Sequence, residues 1–161
     1  MNDIAIIDIE ASGLHFDSYP IEIAILKNGE IRSWLIKPEP SWNYWCDTAE
    51  GLHGISREVL DQDGFSVAEV VQRLDEFLKD FNGALYSDAD QWDADWLDTL
   101  YSAAKQIRPF HIGSMYDLMS ANEGHLFKRS KETLSKLDRF QHHRAASDVK
   151  MLQEAFRLAK Q

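Results

Sequence analysis

The sequence predicts an α/β domain built on one mixed sheet with helices packed against it. Three observations predict it. The chain opens on a nearly continuous aliphatic run, Ile4 to Ile9; two more strand-like segments are joined through Asn28-Gly29; and from Ser66 onward helix-periodic and strand-like segments alternate. The 161 residues carry no internal repeat, low-complexity tract or linker, so the domain is expected to run from 1 to 161. A hydrophobic content of 44% with five tryptophans supplies a core and argues against disorder.

The first strand is expected from Ile4, Ala5, Ile6, Ile7 and Ile9, a run with the character of a central strand covered on both faces. Ile21 to Leu26 is the second and Ile31 to Lys37 the third, with Ile31, Ser33 and Leu35 alternating against Arg32, Trp34 and Ile36. Asn28-Gly29 tolerates positive φ and suits a tight hairpin, so these two strands should be antiparallel neighbours. Pro38 and Pro40 end the sheet segment, and a loop carrying Trp42, Tyr44 and Trp45 follows. Trp42 and Trp45 fit a groove wall and core packing equally well.

Ser66-Val67-Ala68-Glu69 reads as a capping box opening a helix whose stripe is Val70, Val71, Leu74, Phe77, Leu78 and Phe81, with Asn82-Gly83 as its stop. Ala84 to Ser87 is a short strand. A helix carrying Trp96, Leu97, Leu100 and Ala104 follows, then a last strand within Arg108 to Gly113. From about Ala145 a terminal helix places Val149, Leu152, Phe156 and Ala159 on one face. Three early strands in antiparallel pairing, then parallel strands alternating with helices, make a ribonuclease H-like mixed sheet.

Seventeen basic against twenty-seven acidic residues give a net charge of −10, which excludes a nucleic-acid binder that relies on a broad basic surface. Lys128, Arg129, Lys131, Lys136, Arg139 and Arg144 form the one local exception. They read either as a grip on a polyanion or as solvated charges. A single cysteine, Cys46, leaves no internal disulfide and no zinc-finger pattern. No apolar run approaches membrane-spanning length and none resembles a leader, so a soluble cytoplasmic protein with no membrane partner is expected.

Asp8 and Glu10 end the first strand two residues apart, and residues i and i+2 point to the same face. Two buried carboxylates side by side cost several kcal/mol each, or become protonated, unless cations meet them. They read either as a metal-binding pair or as solvated strand-end residues. Four aspartates, Asp88, Asp90, Asp93 and Asp95, follow the fourth strand, where they could cap the helix or join the first pair. His143 precedes Asp148 by five positions, about 140° beyond a full helical turn. If both serve one site, His143 must lie in the loop before the helix.

Taken together these segments resemble the DEDD-type 3′→5′ exonucleases of the DnaQ-like superfamily, in the subgroup that carries a histidine. Asp8-x-Glu10 followed by Ser12-Gly13-Leu14 matches the first motif, and His143 to Asp148, within His-Arg-Ala, matches the third. The second motif departs from its common form, since Asp88 stands where asparagine is usual and one extra residue precedes the last aspartate. Asp93, after Trp92 and before Trp96-Leu97, is the choice, with Asp88 the alternative. Leu52-His53-Gly54-Ile55-Ser56 is similar to a segment near the terminal nucleotide in many relatives.

The resemblance implies Asp8, Glu10, Asp93 and Asp148 as ligands of two divalent cations, Mg2+ or Mn2+, and His143 as the general base that deprotonates the attacking water. Hard oxygen ligands suit those ions, and two of them about 3.5–4 Å apart can activate water, neutralise phosphate and stabilise the leaving oxygen. It implies Ser12, Gly13 and Leu14 as substrate contacts, with His53 and Ile55 near the terminal base. The expected activity is 3′→5′ hydrolysis of single-stranded nucleic acid to nucleoside monophosphates, broad or DNA-preferring. An exoribonuclease acting on RNA ends is the alternative; a small-nucleotide phosphodiesterase and a noncatalytic binding module are weaker ones. A homodimer is left open, and no segment resembles a polymerase-binding tail.

Overall fold

The computed structural model describes residues 4–140 and 143–161. Five strands, β1 (Ala5–Ala11), β2 (Pro20–Lys27), β3 (Glu30–Leu35), β4 (Leu85–Ser87) and β5 (Ile112–Ser114), form one sheet in the order β3-β2-β1-β4-β5. β1 with β2 and β2 with β3 are antiparallel, whereas β1 with β4 and β4 with β5 are parallel. The hairpin between β2 and β3 turns at Asn28 and Gly29, with φ of 51° and 78°, the left-handed pair of a type I′ turn.

Strand periodicity divides the core in two. Ala5, Ile7, Ile9, Ile23 and Ile25 face one way, onto α3 (Val67–Leu78) and α4 (Asp90–Ala103), where Val70, Leu74, Phe77, Leu97 and Leu100 cover them. Ile6, Ala24 and Leu26 face the other way, onto α5 (Ala121–Leu134) and α6 (Ala145–Ala159), meeting Phe127, Val149 and Leu152. Each large aliphatic side chain buried this way contributes roughly 1.5–3 kcal/mol. Truncating a central one such as Leu97 to alanine costs about 2–5 kcal/mol. Asp8 and Glu10 continue the series of Ile6. They therefore stand on the α6 side of the sheet, at the carboxyl end of β1.

Several elements differ in detail from the sequence reading. β3 stops at Leu35, and Ile36 makes an isolated parallel bridge to Phe65. Ser66 accepts the Glu69 amide as expected, but the Glu69 carboxylate pairs with Arg73 at 2.9 Å. The reciprocal box belongs instead to Ser120 and Glu123 at the start of α5. α3 ends at Leu78, before Asn82-Gly83, with the Phe81 amide closing a turn on the Leu78 carbonyl. β5 is shorter than Arg108 to Gly113 because Arg108 turns to Asp98 and to the Phe110 carbonyl. Two short helices, α1 (Asp47–His53) and α2 (Arg57–Asp63), occupy part of the stretch after Trp45. No described helix is long and apolar enough to cross a membrane.

Candidate active site

Parallel pairing of β1 with β4 sets Ile6 level with Tyr86, so the register brings Asp8 level with Asp88, just past the end of β4. The carboxyl ends of adjacent parallel strands are where open α/β sheets form crevices. Here Asp8, Glu10, Asp93, Asp148 and His143 line one cavity of about 350 Å³. Glu10, His143 and Asp148 each offer a ligand atom within 4.8 Å of the others.

Carboxylates crowd together there. Oδ2 of Asp8 is buried with no hydrogen-bond partner among the described residues. Burial, and then the carboxylates of Asp148, Asp93, Glu10 and Asp88, hold the Asp8 carboxyl well above the usual range. Glu10 is pushed up to about 9, first by burial and then by Asp148, with Glu22 and Asp93 adding to it. Asp93 is pushed up to about 8 by burial, against the lowering effect of the hydrogen bond it accepts from Ser87 Oγ. Buried oxygens that repel one another in this way form a donor set for hard divalent cations. The residues present therefore fit such ions.

The two second-motif alternatives are placed differently. Asp93 lies in the first turn of α4, buried and turned inward. Asp88 also lines the cavity, but Lys131 Nζ meets its Oδ2 at 3.0 Å. The basic cluster is thereby split: Lys131 is engaged with Asp88 and Arg144 with Glu22, while Lys128, Arg129, Lys136 and Arg139 are exposed.

Glu22 was not singled out by the sequence, although a lone charge inside the apolar run of β2 is the signal that could have found it. It is 4% exposed and stands opposite Glu10 in the β1–β2 register. Its carboxylate accepts two bonds from the Arg144 guanidinium, at 3.1 and 2.7 Å, and a third from the Ala145 amide at 2.9 Å. Arg144 occupies the N-cap position of α6 with no side-chain cap of its own. The strand thus supplies the cap, satisfying one of the free amides at the helix start. His143 sits in the loop just before α6, as its spacing from Asp148 requires, with φ of 63°. Asp148 lies in the first turn of that helix and is buried.

The turn after β1 is closed by its own bonds. Ser12 is buried; its amide donates to the Tyr19 carbonyl, its hydroxyl accepts from the Tyr19 amide and its carbonyl from the Cys46 amide. A Cβ at Gly13 would lie 2.7 Å from the Tyr44 ring and 2.9 Å from Cys46 Cβ, so glycine permits the turn and the aromatic loop to touch. Leu14 lines the cavity and is 71% exposed. Ile55 is buried with Tyr19, Ile21 and Leu60, and its side chain serves that cluster. Its amide donates to His53 Nδ1 at 3.0 Å. That bond assigns the proton of the neutral ring to Nε2, which is buried with no hydrogen-bond partner among the described residues. Burial lowers the His53 pKa, which favours the neutral ring.

Trp42 packs on Tyr19 with ring centroids 5.2 Å apart, and the Trp45 indole donates to Glu50. Trp92, also unremarked as a site residue, lines the cavity and stacks on Trp96 at 5.3 Å.

No family model matches the chain, and no curated protein matches it. Solved structures do. The chain is similar to Escherichia coli Exonuclease I in complex with a dT13 oligonucleotide, at 14% identity and a TM-score of 0.74, over 97% of this chain and 40% of that one. The zinc-bound form of the E. coli enzyme with single-stranded DNA gives 14% identity and a TM-score of 0.77, over 98% and 40%. A moderately thermophilic Exonuclease I from Methylocaldum szegediense gives 15% and 0.73, over 98% and 40%. The chain spans about two fifths of the length of these proteins. At such identities the likeness is one of architecture, and this chain has a ribonuclease H-like fold similar to that of Exonuclease I.

Proposed function

We propose that the chain is a divalent-cation-dependent 3′→5′ exonuclease that releases nucleoside monophosphates from the end of single-stranded nucleic acid, with DNA as the preferred strand. One observation carries the reading: four carboxylates and a histidine from β1, α4 and the start of α6 converge on one cavity, where burial and mutual repulsion hold the Asp8 carboxyl well above its ordinary range. The fold it shares with an enzyme crystallised on dT13 and dA16 supports a nucleic-acid substrate.

Asp8, Glu10, Asp93 and Asp148 would hold two ions, Mg2+ or Mn2+. When bound, such ions neutralise the phosphate and stabilise the leaving oxygen. His143, held in the loop by the anchored start of α6, takes the proton of the attacking water. Gly13 amide and Leu14 meet the terminal nucleotide, and His53 donates to it through Nε2. Ser12 acts by shaping the turn. These contacts read sugar and base faces, so trimming without sequence preference is expected.

Digestion of 5′-labelled single-stranded DNA and RNA of equal sequence, with Mn2+ or Mg2+ and beside an Asp8→Ala control, tests this. A ladder shortening from the 3′ end, lost in the variant, is the expected result, with DNA the faster strand. Faster loss of RNA would make it an exoribonuclease. Cleavage confined to dinucleotides would make it a small-nucleotide phosphodiesterase, and no metal-dependent shortening would end the enzyme reading.

A further inference from the structure

A second cavity, of about 590 Å³, lies between the 16–19 segment and the aromatic loop, with Thr99 of α4 also on its wall. Its aromatic walls are Phe16, Tyr19, Trp42 and Tyr44; Ser41 and Asn43 add uncharged polar groups, and Asp17 is the one charged residue among the described residues of its lining. Phe16 is 87% exposed, which costs roughly 25 cal/mol for each Å² of apolar surface left in water. It adjoins a stacked pair, His15 on Tyr44, with centroids 4.4 Å apart and planes 10° from parallel.

The two cavities share a wall. The indole of Trp96, which lines the carboxylate cavity, donates at 2.9 Å to Ser18 Oγ, which lines the second one. Leu14 lines the first and Phe16, two residues on, lines the second. The partition is also rigid. Ser18 and Tyr19 are tied back through the Ser18 amide to the His15 carbonyl and the Tyr19 amide to Ser12 Oγ, while the Cys46 amide ties the aromatic loop to the same turn.

We infer that this cavity holds a second nucleobase of the strand whose 3′ end occupies the carboxylate cavity. The inference rests on the proposed nuclease reading and adds to it a substrate of more than one nucleotide. An uncharged heterocycle fits the lining and a phosphate does not, because among the described residues that line it the only formal charge is that of Asp17. The exposed Phe16 ring can stack on any base, with half-buried Trp42 and Tyr44 behind it, and Asn43 and Ser41 can meet polar base edges without selecting one.

Two exposed positions, Phe16 and Asn43, test the inference in the full chain. Affinity for a fluorescein-labelled (dT)8 is read by anisotropy in EDTA, where no cleavage can occur. Phe16→Ala should weaken it by about tenfold, the scale of one lost base stack, and Asn43→Ala by less. In turnover with Mn2+, the ratio of kcat/KM on (dT)8 to that on the p-nitrophenyl ester of thymidine 5′-monophosphate should fall by a similar factor in Phe16→Ala. Unchanged (dT)8 affinity in both variants, or no binding by the wild type, overturns the inference, as does an equal loss on both substrates. A wild type that binds (dT)8 but cleaves neither substrate defeats the nuclease reading alone, and the anisotropy comparison still decides the cavity.

Discussion

Glu22 and Glu10 face each other across β1 and β2, and the guanidinium that meets Glu22 comes from Arg144, at the mouth of α6. Like charges directly opposite on one sheet face repel. Here one of them is neutralised by a two-pronged bond from Arg144 and capped by the Ala145 amide, and the other is left to the cavity. The pair thereby fixes where α6 begins, and with it His143 and Asp148.

Glu22→Gln should therefore lower kcat more than it raises KM, because it loosens the loop that presents His143 without touching substrate. Arg144→Lys, which keeps the charge and loses the fork, should do the same to a smaller degree. About a third of the Arg144 side chain is in water. Screening then limits the stability loss to about 1–3 kcal/mol, below the cost of breaking a fully buried pair. Steady-state kinetics beside thermal unfolding would show it; a variant with wild-type kcat would remove Glu22 from the positioning of the site.

The carboxylate cavity makes a prediction about pH. Folded Glu10 is pushed up to about 9 from an ordinary 4.5, and Asp93 to about 8 from 3.8. Between those values the folded state holds protons that the unfolded chain has released. The contribution of these groups is fully present below their ordinary values and is lost as pH rises toward 8 and 9. In EDTA, Tm should fall from pH 5 to pH 8, and Glu10→Gln should flatten the slope. Saturating Mn2+ should reverse it, adding about 2.7 kcal/mol at a hundred times its Kd. A metal-free Tm that rises over this interval would contradict the protonated cluster.

Much of this site was legible because its geometry is local. The period of two put Asp8 and Glu10 on one face, and a separation of five positions between His143 and Asp148 placed the histidine in a loop. What the sequence hid is carried by long-range contacts. Glu22 and Arg144 are 122 residues apart, and Lys131 and Asp88 are 43 apart, so neither pair leaves a pattern along the chain. α1 and α2 are short and each buries a single side chain, His53 and Leu60, too little for a readable stripe. Ile55 near the terminal base is what the family resemblance implies; its burial beside Leu60 comes from a cluster assembled from Tyr19, β2 and α2.

Lys131 separates the two second-motif aspartates. Because its ammonium already meets Asp88, Asp88→Asn should keep the Mn2+-induced rise in Tm and retain activity within about tenfold, the scale of a partner to the ligands rather than a ligand. Asp93→Asn should lose both the metal-induced rise and detectable digestion. Thermal shifts with and without Mn2+ on the two variants decide it. The opposite order would make Asp88 the ligand and Asp93 a helix-start residue held by Ser87.

His53 offers a donor with a fixed tautomer, since the Ile55 amide occupies Nδ1 and leaves the proton on Nε2. Burial lowers its pKa, so the ring stays neutral through the working range and its contribution should not titrate between pH 6.5 and 8.5. His53→Ala removes one neutral hydrogen bond to the terminal nucleotide, about 0.5–1.5 kcal/mol, and should raise KM by about 2- to 13-fold with less effect on kcat. His143→Ala should instead lower kcat at every pH while leaving the Mn2+-induced Tm rise mostly in place. Parallel pH–rate profiles for the wild type, His53→Ala and His143→Ala distinguish the two roles. A kcat loss in His53→Ala that grows as pH falls through 6.5 would show that His53 titrates in the reaction and would overturn its assignment as a neutral donor.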